Sequence, residues 1–333
     1  MVFVPNPYSL NISPGKVAIQ GQIGSFSHAT LRAVFGKVAD ANVRFFDNFY
    51  DPFQALSNND VRTAVIPIRN TIAGFVPEVP PLIQKHGLQI VGEYFMPIEM
   101  CLLGIPGSRL SDIRFVTSHP MALKQCTEYL SRECTSVARI IGEDTGGAAK
   151  KVARDKRKEY AAIAGPGAAE AYGLETLAHG IENIKNNVTR FVILQRDYAQ
   201  ANIKEEDRNF ERENGRQYVT TILFKPKRSV SHALTHILME FMKENIDHTA
   251  PLELSGSANM GPTGFLIDLT GHANDSKIVR ALERIRLKKS GDGLASSMKI
   301  IGSYPAHHTN RFSRNYRYDF IEEESPALTL GVG

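Results

Sequence analysis

The sequence predicts an α/β protein in which a larger doubly wound region is followed by a smaller ferredoxin-like domain. In the first part of the chain, short apolar strands repeatedly run into a polar or glycine-rich turn and then a helix, an alternation typical of doubly wound sheets. A charged stretch at 196–217 has few apolar residues, and the segment after it has the pattern βαββαβ. The length of 333 residues fits two or three domains.

The first strand–turn–helix unit carries a clear helix-start signal. Lys16–Gln20 is the strand, Gly21–Ser27 is the turn, and the helix covers Ser27–Phe35 with a serine at its cap. A helix start of this kind offers free backbone N–H groups to an anion. The turn lacks G-x-G-x-x-G spacing, which argues against a dinucleotide cofactor.

Further units follow along the first region. The buried strand Thr63–Ile68 ends at Arg69-Asn70-Thr71, and an extended stretch covers Leu88–Leu103. Polar groups at the carboxyl ends of such strands line the ligand crevice of open α/β sheets, so they are candidate ligand contacts. The remaining units are the strand Ile113–Thr117 with a helix from Ser118 to Arg132, the strand Arg139–Ile141 with the helix Ala148–Lys156, the strand Tyr160–Ala164 with the helix Ala168–Tyr172, and the strand Phe191–Leu194.

The smaller domain begins after the charged stretch. Its predicted elements alternate in the βαββαβ order, and a polar tail, expected to be only partly ordered, follows at 306–333. The elements are the strand Thr220–Phe224, the helix Val230–Glu244, the strands Pro251–Leu254 and Gly264–Leu269, the helix Ser276–Lys288 and the strand Lys299–Tyr304.

Composition excludes several classes of protein. With 42% hydrophobic and 22% charged residues, the chain has the balance of a soluble globular protein. The 3 cysteines form no C-x-x-C pair, which argues against a disulfide scaffold or a zinc cluster and makes the cytoplasm the expected location. No run is long enough for a membrane span, and the N-terminus lacks a signal-peptide pattern. The net charge of +4 comes from basic residues scattered among acidic ones, which favours solvated helix faces over nucleic-acid binding.

Thr189 and Arg190 are the leading candidates for chemistry. They stand between an asparagine-rich turn and the apolar run Phe191–Leu194, so we expect a loop to present them where it enters a sheet edge. A hydroxyl can donate a proton to a departing oxygen, and an arginine can hold a carboxylate through two hydrogen bonds. A Thr-Arg pair at a strand start is more often a solvent-exposed pair at a sheet edge without a functional role. The motifs upstream are therefore what make this pair a candidate.

Those motifs resemble the successive signature blocks of prephenate dehydratases. The resemblance spans residues 16–305 in the family's order, with the catalytic region at 16–195, a linker at 196–217 and a unit similar to the family's ACT regulatory domain at 218–305. The matching blocks are Gly24-Ser25-Phe26-Ser27, Val65-Ile66-Pro67-Ile68-Arg69-Asn70-Thr71, Ser118-His119-Pro120-Met121-Ala122-Leu123, Asp144-Thr145-Gly146-Gly147-Ala148-Ala149, Asn187-Val188-Thr189-Arg190-Phe191 and Gly302-Ser303-Tyr304-Pro305.

The resemblance implies a catalytic region of two α/β lobes, folded like a type II periplasmic binding protein, with prephenate between them. Prephenate would lose its ring carboxylate and its hydroxyl together and yield phenylpyruvate, carbon dioxide and water. Thr189 would act as the proton donor and Arg190 would hold a substrate carboxylate, with no metal and no organic cofactor. Further substrate contacts would come from Phe191, Arg69, Asn70, Thr71, Ser118, His119, Thr145, Ser25 and Ser27.

Departures from the family pattern leave the reaction open. The family's Glu-Asn-Ser is Arg69-Asn70-Thr71 here, and its Ser-His-Pro-Gln ends in Met121. If Arg69 faces the ligand, its charge disfavours arogenate, which carries an ammonium group. A cation that stabilises the ring carboxylate too well also opposes decarboxylation. Alternatives are therefore a prephenate decarboxylase that keeps the hydroxyl, or an inactive metabolite-binding paralogue; the retention of Thr189 favours the dehydratase.

The regulatory unit also departs from the family. The phenylalanine-sensing motifs Gly-Ala-Leu-Val and Glu-Ser-Arg-Pro correspond to Ser231-His232-Ala233-Leu234 and Glu253-Leu254-Ser255-Gly256. A bulkier side chain replaces the glycine and the arginine is absent, which argues against phenylalanine inhibition. The resemblance implies that the chain forms a homodimer or homotetramer. Its substrate would be a small dicarboxylate, and it would bind neither nucleic acid nor membrane. The domain would serve either dimerisation or a different effector.

Overall fold

The chain divides into two compact units, Met1–Lys204 and Glu205–Gly333, so the division falls inside the predicted linker 196–217. The computed structural model describes residues 14–36, 42–142, 144–196, 217–227, 231–254, 264–286 and 293–307. These ranges exclude most of the predicted linker and most of the predicted tail. They also exclude Ser255 and Gly256, from the segment that corresponds to the family's Glu-Ser-Arg-Pro motif.

The first unit alternates strands and helices along its length. Its strands are β1 (Val17–Gln20), β2 (Val43–Phe46), β3 (Thr63–Asn70), β4 (Gly74–Phe75), β5 (Gln89–Pro97), β6 (Cys101–Gly104), β7 (Phe115–Ser118), β8 (Ala138–Ile141), β9 (Tyr160–Ala164), β10 (Glu175–Ala178) and β11 (Val188–Gln195). Its helices are α1 (Phe26–Phe35), α2 (Tyr50–Ser57), α3 (Val79–Lys85), α4 (Pro120–Gln125), α5 (Thr127–Glu133), α6 (Thr145–Asp155) and α7 (Pro166–Tyr172).

These strands form a first sheet in the order β2-β1-β3-β11-β5, with β4 on β3, and a second sheet in the order β10-β6-β9-β7-β8. In the first sheet β1 is parallel to β2 and β3, so α1 and α2 supply the crossover connections that parallel strands need. The side chains of Val17, Ala18 and Ile19 are fully buried. This part of the sequence therefore forms a strand covered on both faces. The expectation of an α/β region is confirmed.

The chain crosses between the two sheets twice, after β5 and before β11. The two connections run side by side, since Ile98 N–H donates to Asn187 O at 2.8 Å and Ile181 N–H donates to Met100 O at 3.0 Å. Thr189 lies at the start of β11, directly after this junction. β11 pairs with both β3 and β5, so the expectation that Thr189 and Arg190 enter at a sheet edge is wrong.

The second unit has the predicted βαββαβ order. Its sheet runs β13-β14-β12-β15 and is antiparallel throughout, with β12 between β14 and β15, an arrangement that matches a ferredoxin-like fold. Ile222, Ile237, Phe241, Ile267 and Ile278 pack into its core. The elements are β12 (Tyr218–Pro226), α8 (Ala233–Lys243), β13 (Leu252–Leu254), β14 (Gly264–Thr270), α9 (Ser276–Arg286) and β15 (Ala295–Pro305).

Local differences from the sequence expectations have identifiable causes. The helix expected from Ser118 to Arg132 is two helices, because the backbone at Cys126 leaves helical geometry and Thr127 Oγ1 donates to Lys124 O at 3.0 Å. Ala306 N–H donates to Gln217 O at 2.8 Å, and His307 is fully buried, so these two residues of the expected tail belong to the folded unit.

Candidate active site

The amide of Asn70 orients the hydroxyl of Thr189. Asn70 Oδ1 accepts the backbone N–H groups of Ile72 at 2.9 Å and Ala73 at 2.8 Å. Its nitrogen therefore faces the other way and donates to Thr189 Oγ1 at 2.9 Å and Asn187 Oδ1 at 2.7 Å. Because Thr189 Oγ1 accepts a hydrogen bond here, the hydroxyl keeps its own proton for donation. Thr189 is 9% exposed, so this hydroxyl lies at the margin of the protein interior.

Thr71 completes the network that joins β3 to β11. Its Oγ1 donates to Asn187 Oδ1 at 3.1 Å and accepts the Val188 N–H at 2.9 Å. Its own backbone N–H donates to Val188 O at 3.0 Å. The hydroxyl proton of Thr71 is thus engaged within the protein, where it holds Asn187 in place. A direct contact between Thr71 and a substrate stays a prediction.

Arg190 projects to the face of the sheet opposite Thr189. Successive side chains of a strand alternate between faces, and both Nε and Nη2 of Arg190 lie 2.9 Å from Glu93 Oε2. Glu93 is fully buried, and the guanidinium carbon lies 5.9 Å from the Phe95 ring centroid. The sequence suggested a hydroxyl and a guanidinium acting side by side. The structure separates them because both residues lie within β11.

Arg69 and Phe191 follow the same alternation. Arg69 lies directly across from Arg190 in the β3–β11 pairing, so it belongs to the face away from Thr189. Phe191 lies on the Thr189 face but is 2% exposed, and it packs in the core of the first sheet with Ile19 and Leu31. Substrate contacts from Arg69 and Phe191 stay predictions, and the geometry gives Phe191 a packing role.

The turn after β1 touches helices that flank the second sheet. A Cβ added at Gly24, which has φ +79°, would lie 2.7 Å from Ala168 Cα, and one added at Gly146 would lie 3.0 Å from Ile23 O. Tyr172 Oη donates to the same carbonyl at 2.8 Å. Burial raises the pKa of Tyr172, and the charge of Asp144 adds to the rise, so the phenol keeps the proton that makes this bond. Glycine at 24 and 146 permits this close approach.

The same contact brings two helix starts together. Ser25 caps α1, with its Oγ accepting the His28 N–H at 3.3 Å. Asp144 caps α6, with Oδ1 accepting the Gly147 N–H at 2.7 Å, and Thr145 is the first residue of that helix. Ser27 is 5% exposed within α1. The structure therefore brings the Ser25 and Thr145 segments close to each other and leaves Ser27 largely in the interior.

Ser118 and His119 have local partners at the end of β7. Ser118 is fully buried and its Oγ donates to Ile163 O at 2.6 Å, which joins β7 to β9. His119 is exposed and caps α4, with Nδ1 accepting the Met121 N–H at 3.2 Å. A neutral imidazole that accepts at Nδ1 carries its proton on Nε2. The Ser118 hydroxyl is therefore engaged within the protein, whereas the Nε2–H group of the exposed His119 can face a ligand.

Sequence reasoning gave no role to Asn187 and Glu93. Asn187 stands two residues before Thr189 and accepts hydrogen bonds from both Asn70 and Thr71. Glu93 is a carboxylate inside an apolar strand, and a buried charge of this kind needs a partner. That rule is the signal that could have identified the pair with Arg190 from the sequence.

Comparison with known proteins assigns a family to this chain. The sequence profile described as prephenate dehydratase matches residues 17–199, from the start of β1 past the end of β11. The chain belongs to the prephenate dehydratase family. Asn70, Asn187 and Thr189 all lie within the region that matches the prephenate dehydratase profile.

Individual relatives support this assignment over most of the chain. Arogenate dehydratase 3, chloroplastic, of Arabidopsis thaliana is 32% identical over 92% of this chain and 70% of the relative. The bifunctional N-acyl-homoserine lactone acylase/prephenate dehydratase of Komagataeibacter europaeus is 30% identical over 87% of this chain and 95% of the relative. The prephenate dehydratase of Arthrobacter aurescens, solved in complex with L-Phe, superposes with a TM-score of 0.71 at 26% identity, covering 86% of this chain and 89% of the other.

The assignment decides the class of reaction. Dehydratases of this family are carbon–oxygen lyases, and the chain is an enzyme of that class. The names of the relatives include both arogenate and prephenate dehydratases, so they define a prephenate/arogenate dehydratase group. In the part of the chain that the structure describes, no helix is both long and apolar enough to cross a bilayer.

Proposed function

We propose that the protein catalyses the decarboxylating dehydration of prephenate to phenylpyruvate, with Thr189 as the proton donor. The observation that carries the proposal is the hydrogen bond from Asn70 Nδ2 to Thr189 Oγ1 at 2.9 Å. The two backbone N–H groups on Asn70 Oδ1 hold the amide in this orientation, so Thr189 is the acceptor and keeps its proton for another oxygen.

The proposed reaction needs one proton from the protein. As the bond to the ring carboxylate breaks, carbon dioxide leaves and its electron pair enters the ring, which becomes aromatic. The hydroxyl on the opposite ring carbon leaves as water when it takes the proton of Thr189. Negative charge then develops on Thr189 Oγ1, where the Asn70 N–H stabilises it until solvent returns a proton. Threonine is a weak acid, so its contribution rests on position.

Substrate positioning is assigned to segments that follow the strands β1, β7 and β8 of the two sheets. We propose that the starts of α1 and α6, with Ser25 and Thr145, and the exposed His119 contact the substrate's carboxylates and keto group. Helix starts favour anions because their first N–H groups lack partners within the helix. Arg190 is proposed to stabilise β11 through Glu93, in place of the carboxylate contact that the sequence suggested.

Thr189 variants test the proposal. Purified enzyme is incubated with prephenate and with arogenate, and products are identified by mass and by the ultraviolet spectrum of phenylpyruvate in base. Removing a general acid costs about 10²–10⁴-fold. We expect that loss in kcat/KM for Thr189→Val, whereas Thr189→Ser retains activity and Thr176→Val, in β10, is the control. Full activity in Thr189→Val would overturn the proton-donor assignment, and loss of carbon dioxide without dehydration would indicate a decarboxylase.

We also propose that the second unit is an ACT-type regulatory domain and that the chain assembles as a homodimer or homotetramer. The ferredoxin-like strand order supports the first part. The assembly is tested by light scattering of the full chain, and a monomer at micromolar concentration would contradict it. The cytoplasmic location expected from the cysteines stays a prediction.

A further inference from the structure

A second group of reactive side chains lies at the start of β6. Glu99 and Cys101 are two residues apart, on either side of Met100, where the connection from β5 enters β6. His179 directly follows β10, which pairs with β6 through Ala178 and Leu102. This pairing places His179 Nδ1 3.6 Å from Cys101 Sγ and 3.8 Å from Glu99 Oε1.

We propose that Glu99, Cys101 and His179 form a binding site for a divalent cation of the zinc type. The three ligand atoms all lie within 4.8 Å of one another. With bonds of about 2.3 Å to sulfur and about 2.1 Å to nitrogen and oxygen, neighbouring ligands of tetrahedral zinc are roughly 3.4–3.6 Å apart. The 3.6 Å and 3.8 Å separations from His179 Nδ1 therefore need little adjustment, and the Cys101 and Glu99 ligand atoms lie within 4.8 Å of each other. Thiolate and imidazole ligands favour zinc or cobalt over magnesium and calcium.

The backbone between the ligands is held in place before any cation binds. Met100, between two of the ligands, donates its N–H to Glu182 Oε2 at 2.9 Å and accepts the Ile181 N–H at 3.0 Å. Both bonds tie the segment that carries the thiol and the carboxylate to the segment that carries the imidazole. A prepared geometry lowers the ordering cost of binding. The ligands come from positions 78 residues apart, which is why cysteine spacing did not reveal the site.

The three ligands extend from the protein interior to its surface. Cys101 is buried and Glu99 is partly exposed. The Glu99 carboxylate supplies a negative charge that favours a cation at this position. His179 is exposed, so the site opens to solvent there and leaves the fourth position to water or a small ligand.

Cobalt titration tests the site in the full chain. The protein is first dialysed against a chelator, and Co²⁺ is then added while the ultraviolet and visible absorption is recorded. We expect about one Co²⁺ per chain, with a thiolate-to-cobalt charge-transfer band and tetrahedral d–d bands that Zn²⁺ abolishes. Cys101→Ser loses the charge-transfer band. His179→Ala weakens binding by at least ~10-fold, the scale of effect seen even for residues that only support metal ligands.

Cys134→Ser is the matched control, because Cys134 is also a buried free thiol of the first unit but lies at the end of α5. It should keep the band and the affinity. Thermal unfolding of each metal-free variant checks that the fold is intact. Three results would overturn the site: no charge-transfer band in the unmodified protein, a band that persists in Cys101→Ser, or a band that disappears in Cys134→Ser. In the first case the 3.6 Å contact is only a thiol–imidazole hydrogen bond.

Discussion

Asn70 is the residue whose orientation supports the proposed acid. We predict that Asn70→Asp lowers kcat far more than it raises KM, because it replaces an N–H donor with a negative charge beside the oxygen that becomes anionic in the proposed reaction. Loss of one such donor costs about 10²–10³-fold in kcat. The measurement is steady-state kinetics with prephenate.

Asn183 is a matched control for the Asn70 prediction. Its Nδ2 donates to Thr127 Oγ1 at 2.9 Å, so it repeats the asparagine–threonine pair away from the proposed chemistry. Asn183→Asp should retain kcat within a few-fold. Equal losses in both variants would show that the Asn70 effect is structural and would contradict its role beside Thr189.

The Glu93–Arg190 pair makes a prediction about stability. Glu93 is fully buried and Arg190 is 8% exposed, so Glu93→Gln removes the buried negative charge that the Arg190 guanidinium contacts. Breaking a buried pair by removing one partner costs roughly 3–5 kcal/mol. We expect a loss of this size in the free energy of unfolding, measured by urea denaturation. Glu133→Gln, which breaks an exposed pair with Arg132, should cost less than about 1 kcal/mol; similar losses in the two variants would argue against the buried pair as a stabilising feature.

At the scale of elements, the close approach of the β1–α1 turn to α7 depends on Gly24. Gly24→Ala adds a Cβ 2.7 Å from Ala168 Cα at a residue with φ +79°. Left-handed backbone alone costs a residue with a side chain about 1–2 kcal/mol, and the overlap adds to it. We expect lower stability and lower activity in thermal unfolding and kinetic measurements. Gly167→Ala, in α7 with nothing within 4 Å of its Cβ, should be neutral or slightly stabilising. A harmless Gly24→Ala would mean that the turn and α7 do not meet in solution.

The pairing of α8 with α9 predicts a pH dependence. Hydrogen bonds from Arg280 and then Arg284 lower the pKa of Glu244 from 4.5 to about 2. A carboxyl whose folded pKa is depressed contributes stability above its unfolded pKa, and this contribution is lost as the pH falls from 4.5 towards 2.

Denaturation of the full chain at several pH values measures this effect. The stability difference between the unmodified protein and Glu244→Gln should be largest above pH 5 and should shrink as the pH falls from about 4.5 towards 2. Glu283→Gln, at an exposed position of α9, serves as the control. A difference that does not change with pH would exclude Glu244 as the titrating group.

Element order was predictable from sequence where strands are apolar and turns carry glycine, as at Val17–Gln20 and Tyr160–Ala164. The helix α2, Tyr50–Ser57, was missed because it is short and mixes aromatic, acidic and proline residues. The central place of β11 depends on pairing with strands far away in the chain, which local patterns do not encode.

The residues of the candidate site were predictable from local motifs, but their arrangement was not, because it depends on pairing between strands far apart in the chain. The motifs named Asn70 and Thr189, yet their mutual orientation follows from the Asn70 amide and its backbone partners. The separation of Thr189 from Arg190 follows from strand alternation, which becomes visible only once Val188–Gln195 is known to be one strand.

At the scale of the whole molecule, regulation requires that an effector bind two states of the enzyme with different affinity. The second unit has a core of its own and a ferredoxin-like strand order. At the start of its first helix, His232 adopts φ 57°, a left-handed conformation that is uncommon for residues with a side chain. A histidine is thus held at the helix start, where the sequence departs from the family's phenylalanine-sensing motif.

We therefore predict that L-phenylalanine at millimolar concentration neither binds this enzyme nor changes its kcat/KM. A ligand that does not bind the second unit has no free energy with which to change catalysis by the first. Calorimetry and initial rates on the full chain measure the two effects separately, and the Arthrobacter aurescens enzyme, solved with L-Phe, is the positive control. Phenylalanine that bound and raised KM would show that the sensing site tolerates the replaced glycine and the missing arginine. Binding without any change in kcat/KM would instead show that phenylalanine still binds but that its binding no longer affects catalysis.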